Sequence, residues 1–300
     1  MSVGSAQVKE CGWCDAAMGD ARERCGHRVR CATCGAWTTE PAPTADQLEQ
    51  AYRGWYRPSS GRFAGLGDAL LRHLRGRLAS RLDRIAPPGR VLDVGAGDGS
   101  LVKALRSRGR VALGIDRVAS APLVDDTALA DVEGSWAAIV FWHSLEHLPG
   151  AGGALDHAAS VLATNGVLAI AMPNSASLQA ALFGKRWFAV DFPRHLVHVP
   201  SSALLGRFDR LGMRIDRVSY WRGGQVVFGW LHGFAGWLPG HPSLYDAIRR
   251  PEAREEAMAA PTRGLVLLAA CLLLPVSLLC AAAEVACRRG GTIYIEARNV

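Results

Sequence analysis

Residues 90–100, RVLDVGAGDGS, constrain this chain more than any other stretch. The apolar run Val91, Leu92, Val94 ends in glycines at alternate positions, Gly95, Gly97 and Gly99, and Leu101, Val102, Ala104 and Leu105 follow at helical spacing. That order predicts a strand, a tight loop and a helix. Glycine lacks a Cβ, so such a loop turns sharply and lets a ligand approach the backbone. The spacing departs from the G-x-G-x-x-G that presents a helix N-terminus to a pyrophosphate, and no P-loop lysine follows. Asp93 precedes the loop and Asp98 lies inside it. Carboxylates there repel phosphate and suit a ligand carrying positive charge and hydroxyls.

S-adenosylmethionine meets those terms, having a sulfonium, an ammonium and a ribose but no phosphate. A second predicted strand, 111–115, ends in Asp116, about where doubly wound folds place the acid that holds a ribose diol. The segments LDVGAGDGS, GID and FWHSLEHL together resemble class I S-adenosylmethionine-dependent methyltransferases, especially the group related to ubiquinone-biosynthesis O-methyltransferases. The resemblance covers 89–218, with a final strand returning near Thr292. It implies an α/β fold: a doubly wound, mostly parallel seven-stranded Rossmann-like sheet. It also implies cofactor contacts from Asp93, Gly95, Ala96, Gly97, Gly99 and Asp116. Asp131 stands where the family commonly has an acid or amide meeting the adenine amino group, although a solvated loop acid reads equally from the residues.

After the apolar run 136–142 comes His143-Ser-Leu-Glu146-His147. The order H-x-x-E-H is formally an inverted zincin motif, but a strand leads in and Leu148-Pro149-Gly150 closes it, so no protease helix forms. In the methyltransferase frame these residues lie past the fourth strand, beside the methyl donor. His147 is the expected base, Glu146 its partner, and His143 a contact to cofactor or acceptor. A polar pair capping the next helix is the plainer reading. In related enzymes a Glu-His pair here can contribute to a divalent-cation site, and the sequence alone displays no complete ligand set.

Near the amino end, Cys11-Gly-Trp-Cys14 and Cys31-Ala-Thr-Cys34 are separated by sixteen residues, the spacing of a zinc ribbon with four thiolates. Cys25 and His27 lie between the pairs as possible substitutes. Some forty residues bury little core, so structural Zn2+ would supply the folding energy of this module. Several methyltransferases of the resembling group, sugar methyltransferases among them, likewise begin with a zinc-binding module.

The organisation expected is a zinc ribbon over 1–40, a linker and helical cover over 41–88, a methyltransferase core over 89–222, a hydrophobic insertion over 223–287 and a last strand over 288–300. Within the linker, Tyr52, Trp55 and Tyr56 pack on the core or line the substrate mouth. Leu70, Leu71, Leu74, Leu78 and Leu82 recur at three and four, predicting an amphipathic helix over the sheet. Segment 183–195 combines aromatics with Lys185, Arg186, Arg194 and His195; it reads as a surface loop or as a pocket lid suited to an anionic acceptor.

Residues 264–283 carry no charge and, as a helix, are just long enough to cross a hydrocarbon core. Arg288 and Arg289 follow, placing that end in the cytoplasm by the positive-inside rule. Strands on both sides of the insertion belong to one sheet, so a single crossing is excluded. Either 224–238 pairs with the later segment as a hairpin, or the later segment bends at Pro275 and dips into one leaflet; the second is favoured. A helix buried in an oligomer interface is the alternative without a membrane. The polar opening residues lack the apolar core of a signal peptide, which with the tail suggests a cytoplasmic protein held at the inner face of the cell membrane.

The function expected is methyl transfer to oxygen or carbon of a small-molecule or lipid-linked acceptor at or near a membrane. A net charge of +7 permits a nucleic-acid partner, so an RNA methyltransferase with a zinc ribbon is one alternative. Nucleic acid is disfavoured because the N-P-P-aromatic segment is absent and an apolar tail has no use on RNA. A membrane-bound zinc-dependent scaffold with a vestigial cofactor pocket is the other alternative.

Overall fold

The computed structural model describes residues 8–19, 23–53, 61, 63, 66–118, 121–222 and 224–300. The chain opens with β1 (Arg28–Arg30) and β2 (Trp37–Thr39), paired antiparallel, then α1 (Ala45–Ala51) and α2 (Leu66–Ile85). Five strands follow, each seated by its apolar run: β3 (Val91–Val94), β4 (Ala112–Ile115), β5 (Val124–Asp125), β6 (Trp136–Trp142) and β7 (Leu162–Pro173). Helix α3 (Ser100–Arg106) joins β3 to β4, and α4 (Ala151–Ser160) joins β6 to β7. Beyond them lie α5 (Leu178–Phe183), β8 (Val197–His198), α6 (Ser201–Arg210) and β9 (Arg214–Ser219). Three helices, α7 (Gly224–Ala235), α8 (Leu244–Ile248) and α9 (Ala260–Ala286), precede the closing strand β10 (Thr292–Arg298).

The main sheet has the order β5-β4-β3-β6-β7-β10-β9. Strands β3 to β7 are parallel, and β10 inserts antiparallel to both β7 and β9. This is the doubly wound seven-stranded architecture expected, with the last strand returning beside the sixth. Strand β6 reads as a continuous apolar run because both its faces are covered. On one face Leu92, Ile139, Phe141, Leu168 and Ile170 pack with Leu155 of α4 and Phe208 of α6. On the other, Val91, Ala138, Val140 and Ala169 pack with Leu82 of α2 and Leu105 of α3.

The helical cover is shorter than its leucine spacing suggests. Leu78 and Leu82 are buried, but Leu70, Leu71 and Leu74 are 41–57% exposed, so only the second half of α2 packs on the sheet. The reason is visible in its anchors. Arg81 grips Glu296 of β10 through two hydrogen bonds of 2.9 and 2.6 Å, whereas Asp68 in the first turn meets Arg250 of the insertion at 4.0 Å and not the sheet. Of the linker aromatics, Tyr52 is described; Trp55 and Tyr56 lie outside the described residues.

The amino-terminal strands are welded to the core. β2 pairs with β8, extending the small sheet to β1-β2-β8, and Cys11, Trp13, Cys31 and Ala36 share the hydrophobic cluster of β6, β7 and α4. Trp13 is fully buried. Arg207 of α6 lies over its ring at 5.0 Å, donates to its carbonyl oxygen, and pairs with Asp156 of α4 at 2.7 Å.

The insertion between β9 and β10 is organised differently. α9 runs as one helix of 27 residues through Pro275, without the break expected there, and packs along α7. It is long and apolar enough to cross a membrane by length and composition. A buried carboxylate ties it to the domain: Glu284 accepts from the Gln179 backbone and side-chain amides at 3.0 and 2.8 Å and from Trp230 Nε1 at 3.0 Å. Its outer surface is apolar and bare, with Leu272 and Leu279 70% and 72% exposed.

Candidate functional site

The glycine loop leaves β3 at the carboxyl edge of the parallel strands, the crevice where open α/β sheets bind ligands. Gly95, Gly97 and Gly99 take φ values of 78°, 60° and 67°, which favour glycine at all three. A Cβ at Gly95 would stand 2.4 Å from that of Ser144, so the loop packs backbone-first against the segment after β6. Ser144 Oγ also donates to the Val94 carbonyl. Asp116 closes the other side: its Oδ2 accepts from the Gly97 amide at 2.7 Å and its Oδ1 from the Arg117 amide at 2.8 Å. Asp98 accepts from the Ser100 amide at the start of α3. Asp93 is buried within β3 and Ala96 is buried in the loop. Asp131 is exposed at the end of a 3-10 turn before β6. A bared loop backbone with a carboxylate at the tip of the adjacent strand fits S-adenosylmethionine.

The histidine segment follows β6 directly. His143 has φ 52°, a conformation few non-glycine residues adopt and one that clusters at functional sites. Its Nε2 meets Gln225 Oε1 of α7 at 3.2 Å, and its Nδ1 stands 3.5 Å from Glu146 Oε1. Glu146 is 1% exposed, and among the described residues its carboxylate is approached by His143 and His195. Burial pushes its carboxyl up, but His143, His195 and His147 outweigh that and hold it at about 2. His147 turns its Nδ1 to the Arg194 carbonyl and the Tyr52 hydroxyl, each at 3.0 Å. Burial, reinforced by His195, pulls the His147 imidazole down to about 4.

His195, expected on a lid facing an anionic acceptor, is buried in this cluster. Its Nε2 lies 3.9 Å from Glu146 Oε1 and 3.5 Å from Asp191 Oδ2. Arg194 is likewise withdrawn from solvent: it pairs with Asp191, donates to the Ala51 carbonyl and stands 3.6 Å from Glu255. Neither side chain is offered to an acceptor, because burial requires each to find its partner inside the protein. Lys185 and Arg186 remain exposed. The sequence offers His195 as part of a basic and aromatic segment, and nothing local in that segment signals that the fold carries it to Glu146.

The four cysteines converge. Cys11 and Cys34 are 3.7 Å apart at sulfur, as are Cys14 and Cys31, and all four sulfurs lie within 4.8 Å of one another. Zinc–thiolate bonds of about 2.3 Å put tetrahedral sulfurs about 3.8 Å apart, so the donor set fits zinc. Hydrogen bonding between Cys34 and Cys11 draws the Cys11 thiol down to about 5 and pushes Cys34 up. The intervening candidates stand aside: Cys25 accepts from Arg28 at 3.5 Å, and His27 stacks on Phe192 at 4.2 Å.

Residues 70–218 match the model of a family described as a methyltransferase domain. No curated protein matches the chain. Among solved structures, the chain is similar to an S-adenosylmethionine-dependent methyltransferase from Archaeoglobus fulgidus, at 17% identity over 75% of this chain and 94% of that one, TM-score 0.42. It is also similar to magnesium protoporphyrin IX methyltransferase from Synechocystis with bound S-adenosylhomocysteine, at 17% identity over 58% and 85%, TM-score 0.41. A putative sarcosine dimethylglycine methyltransferase from Galdieria sulphuraria aligns at 12% identity over 77% and 86%, TM-score 0.48.

Proposed function

This chain belongs to the class I S-adenosylmethionine-dependent methyltransferases, and from that premise we propose that it methylates a small or lipid-linked acceptor at a membrane surface. The observation that carries this reading is the reach of the insertion. Its exposed apolar helix α9 packs on α7, and α7 places Gln225 against His143 at the mouth of the histidine segment. An apolar surface and the candidate site are thus parts of one wall.

S-adenosylmethionine, when bound, supplies an electrophilic methyl group. The backbone of Gly95 to Gly99 and the Asp116 carboxylate hold and orient it. In-line displacement gains most of its rate from such alignment. A base is required only for an acceptor that must lose a proton. We assign that task to His143 in place of His147, because an imidazole held at about 4 is a weak proton acceptor at neutral pH. Glu146, 3.5 Å from His143 Nδ1, stabilises the imidazolium that results. Cys11, Cys14, Cys31 and Cys34 would hold a structural Zn2+, a reading their convergence supports.

The deciding experiment incubates purified protein and methyl-tritiated S-adenosylmethionine with membrane and soluble extracts. Label is expected in the lipid-extractable fraction. Label confined to bulk RNA, or no label in any fraction, overturns the reading.

A further inference from the structure

Four residues form one row across the carboxyl edge of the sheet: Trp142 pairs with Ala171, Ala171 with Tyr294, and Tyr294 with Ser219. Register partners share a face, and the short Ala171 between them lets the two rings meet with centroids 6.2 Å apart. Arg222, shortly after β9, lays its guanidinium over both rings, 4.2 Å from the indole centre and 4.5 Å from that of the phenol. Arg75 of α2 stands over the same indole at 5.1 Å. Aromatic faces attract a cation but accept little from its in-plane N–H groups. Arg222 is half-buried, and among the described residues its guanidinium has no hydrogen bond or ion pair. The carboxylate on that face, Glu296, is committed to Arg81 and the Tyr294 hydroxyl. Burial lowers the Arg222 guanidinium from its ordinary value, and the positive charges of Arg217 and Arg75 lower it further. Unspent donors on a partly buried cation, beside a second cation, suit an oxyanion, which accepts two parallel N–H bonds from a guanidinium edge.

Resting on the reading of this chain as a methyltransferase of a small or lipid-linked acceptor, we infer that Arg222, with Arg75, binds a phosphate or carboxylate group carried by that acceptor. Position separates the acceptor from the cofactor as the bearer of the anion. The glycine loop and Asp116 stand at the ends of β3 and β4. Arg222 comes from the opposite side of β6, beyond β9, and reaches Trp142 across the ends of β10 and β7. His143 stands between these two regions, its ring edge-on to the Trp142 indole at 6.3 Å. An acceptor anchored at Arg222 therefore has its neighbouring atoms alongside His143, facing the cofactor loop. The same piece of chain holds both groups, because Gln225, in the first turn of α7, meets His143 at 3.2 Å.

The test titrates phenyl phosphate into the full chain saturated with S-adenosylhomocysteine, so that the carboxylate of the cofactor is already seated; phenol is the neutral control. Phenyl phosphate should bind and phenol should not. Arg222→Gln should weaken phenyl phosphate by roughly tenfold or more and Arg75→Gln by less, with affinity for S-adenosylhomocysteine unchanged in both. Arg222→Lys, which keeps the charge without the flat fork, should fall between the natural sequence and Arg222→Gln. Circular dichroism identifies a variant that has failed to fold, and the natural sequence with the remaining variants then decides. Phenyl phosphate that binds only when S-adenosylhomocysteine is absent assigns the arginines to the cofactor carboxylate and overturns the proposal. Equal binding by the natural sequence and both glutamine variants overturns it too. In the extract assay the tritiated product should be retained on an anion exchanger at neutral pH, and Arg222→Gln should raise KM more than it lowers kcat. A lipid-extractable product that passes through uncharged overturns the anion while leaving the acceptor reading intact. Label confined to bulk RNA, or none, is instead the failure of the acceptor reading; the titration needs no turnover and reads the two arginines separately.

Discussion

Two additions to the same sheet, the cysteine strands at the amino end and the helical insertion before the last strand, differ in how much apolar surface they leave uncovered. The cysteine strands bury their apolar side chains in the core of the domain: Trp13, Cys11 and Cys31 join the cluster of β6 and β7, and β2 becomes the neighbour of β8. The insertion buries Val226, Trp230 and Ala281 against Phe183 and Trp187 and is pinned by Glu284 to Gln179, Gln225 to His143 and Glu255 to Arg194, while its longest helix keeps an apolar side uncovered. An appendage that spends its hydrophobic surface inward serves the fold. One that withholds it has that surface free for something outside the chain.

Substitution at the first attachment should have the largest effect. Trp13→Ala empties a fully buried site beneath Arg207 and should cost about 3 to 5 kcal/mol, lowering the melting temperature of the whole domain in one transition. A separate early transition confined to the amino end would show the two to be independent. Glu284→Ala leaves the donors of Gln179 and Trp230 unpaired and should cost about 2 to 3 kcal/mol, detected as faster amide exchange across α7 and α9 with β3 to β7 still protected.

Acid should act on the insertion next. Burial holds His232 neutral down to about 4, between Phe188 at 4.8 Å and Phe228 at 5.9 Å, against an ordinary value of 6.5. Between those two values the unfolded chain binds the additional proton. His232 therefore imposes no penalty above pH 6.5, and stability falls as pH drops from 6.5 towards 4, at no more than about 1.4 kcal/mol per unit. Urea midpoints measured over that range should fall less steeply for His232→Phe; equal slopes would remove His232 as the cause. The smallest stability effect belongs to the open face. Leu272→Glu with Leu279→Glu should change stability by no more than about 0.5 kcal/mol while abolishing co-flotation with phospholipid vesicles. A large loss of stability would mean that this face is packed within the protein.

Legibility in the sequence followed the range over which each cause acts. The glycine loop, β6, β10 and the cysteine pairs are written in neighbouring residues, through backbone permissiveness, alternation and ligand spacing, and each stands where its pattern predicts. The exposure of Leu70, Leu71 and Leu74 was not legible, because helical spacing records a face but not how much of it finds a partner. Glu146 with His147 reads as a local pair, yet the ion-pair contacts of Glu146 go to His143 and His195, and the latter is brought there only by the fold. The low values at His147 and His232 likewise arise from burial, which no motif encodes.

The pairing of β2 with β8 joins more than two strands. Trp37 lies opposite His198, the Thr39 amide donates to the Leu196 carbonyl at 2.9 Å, and the Thr39 hydroxyl donates to the His195 carbonyl at 2.6 Å. The backbone that carries His195 is thus gripped by the strand that follows Cys34. The position of the cysteine strands and the position of the His195 backbone are therefore one variable: what shifts the first shifts the second.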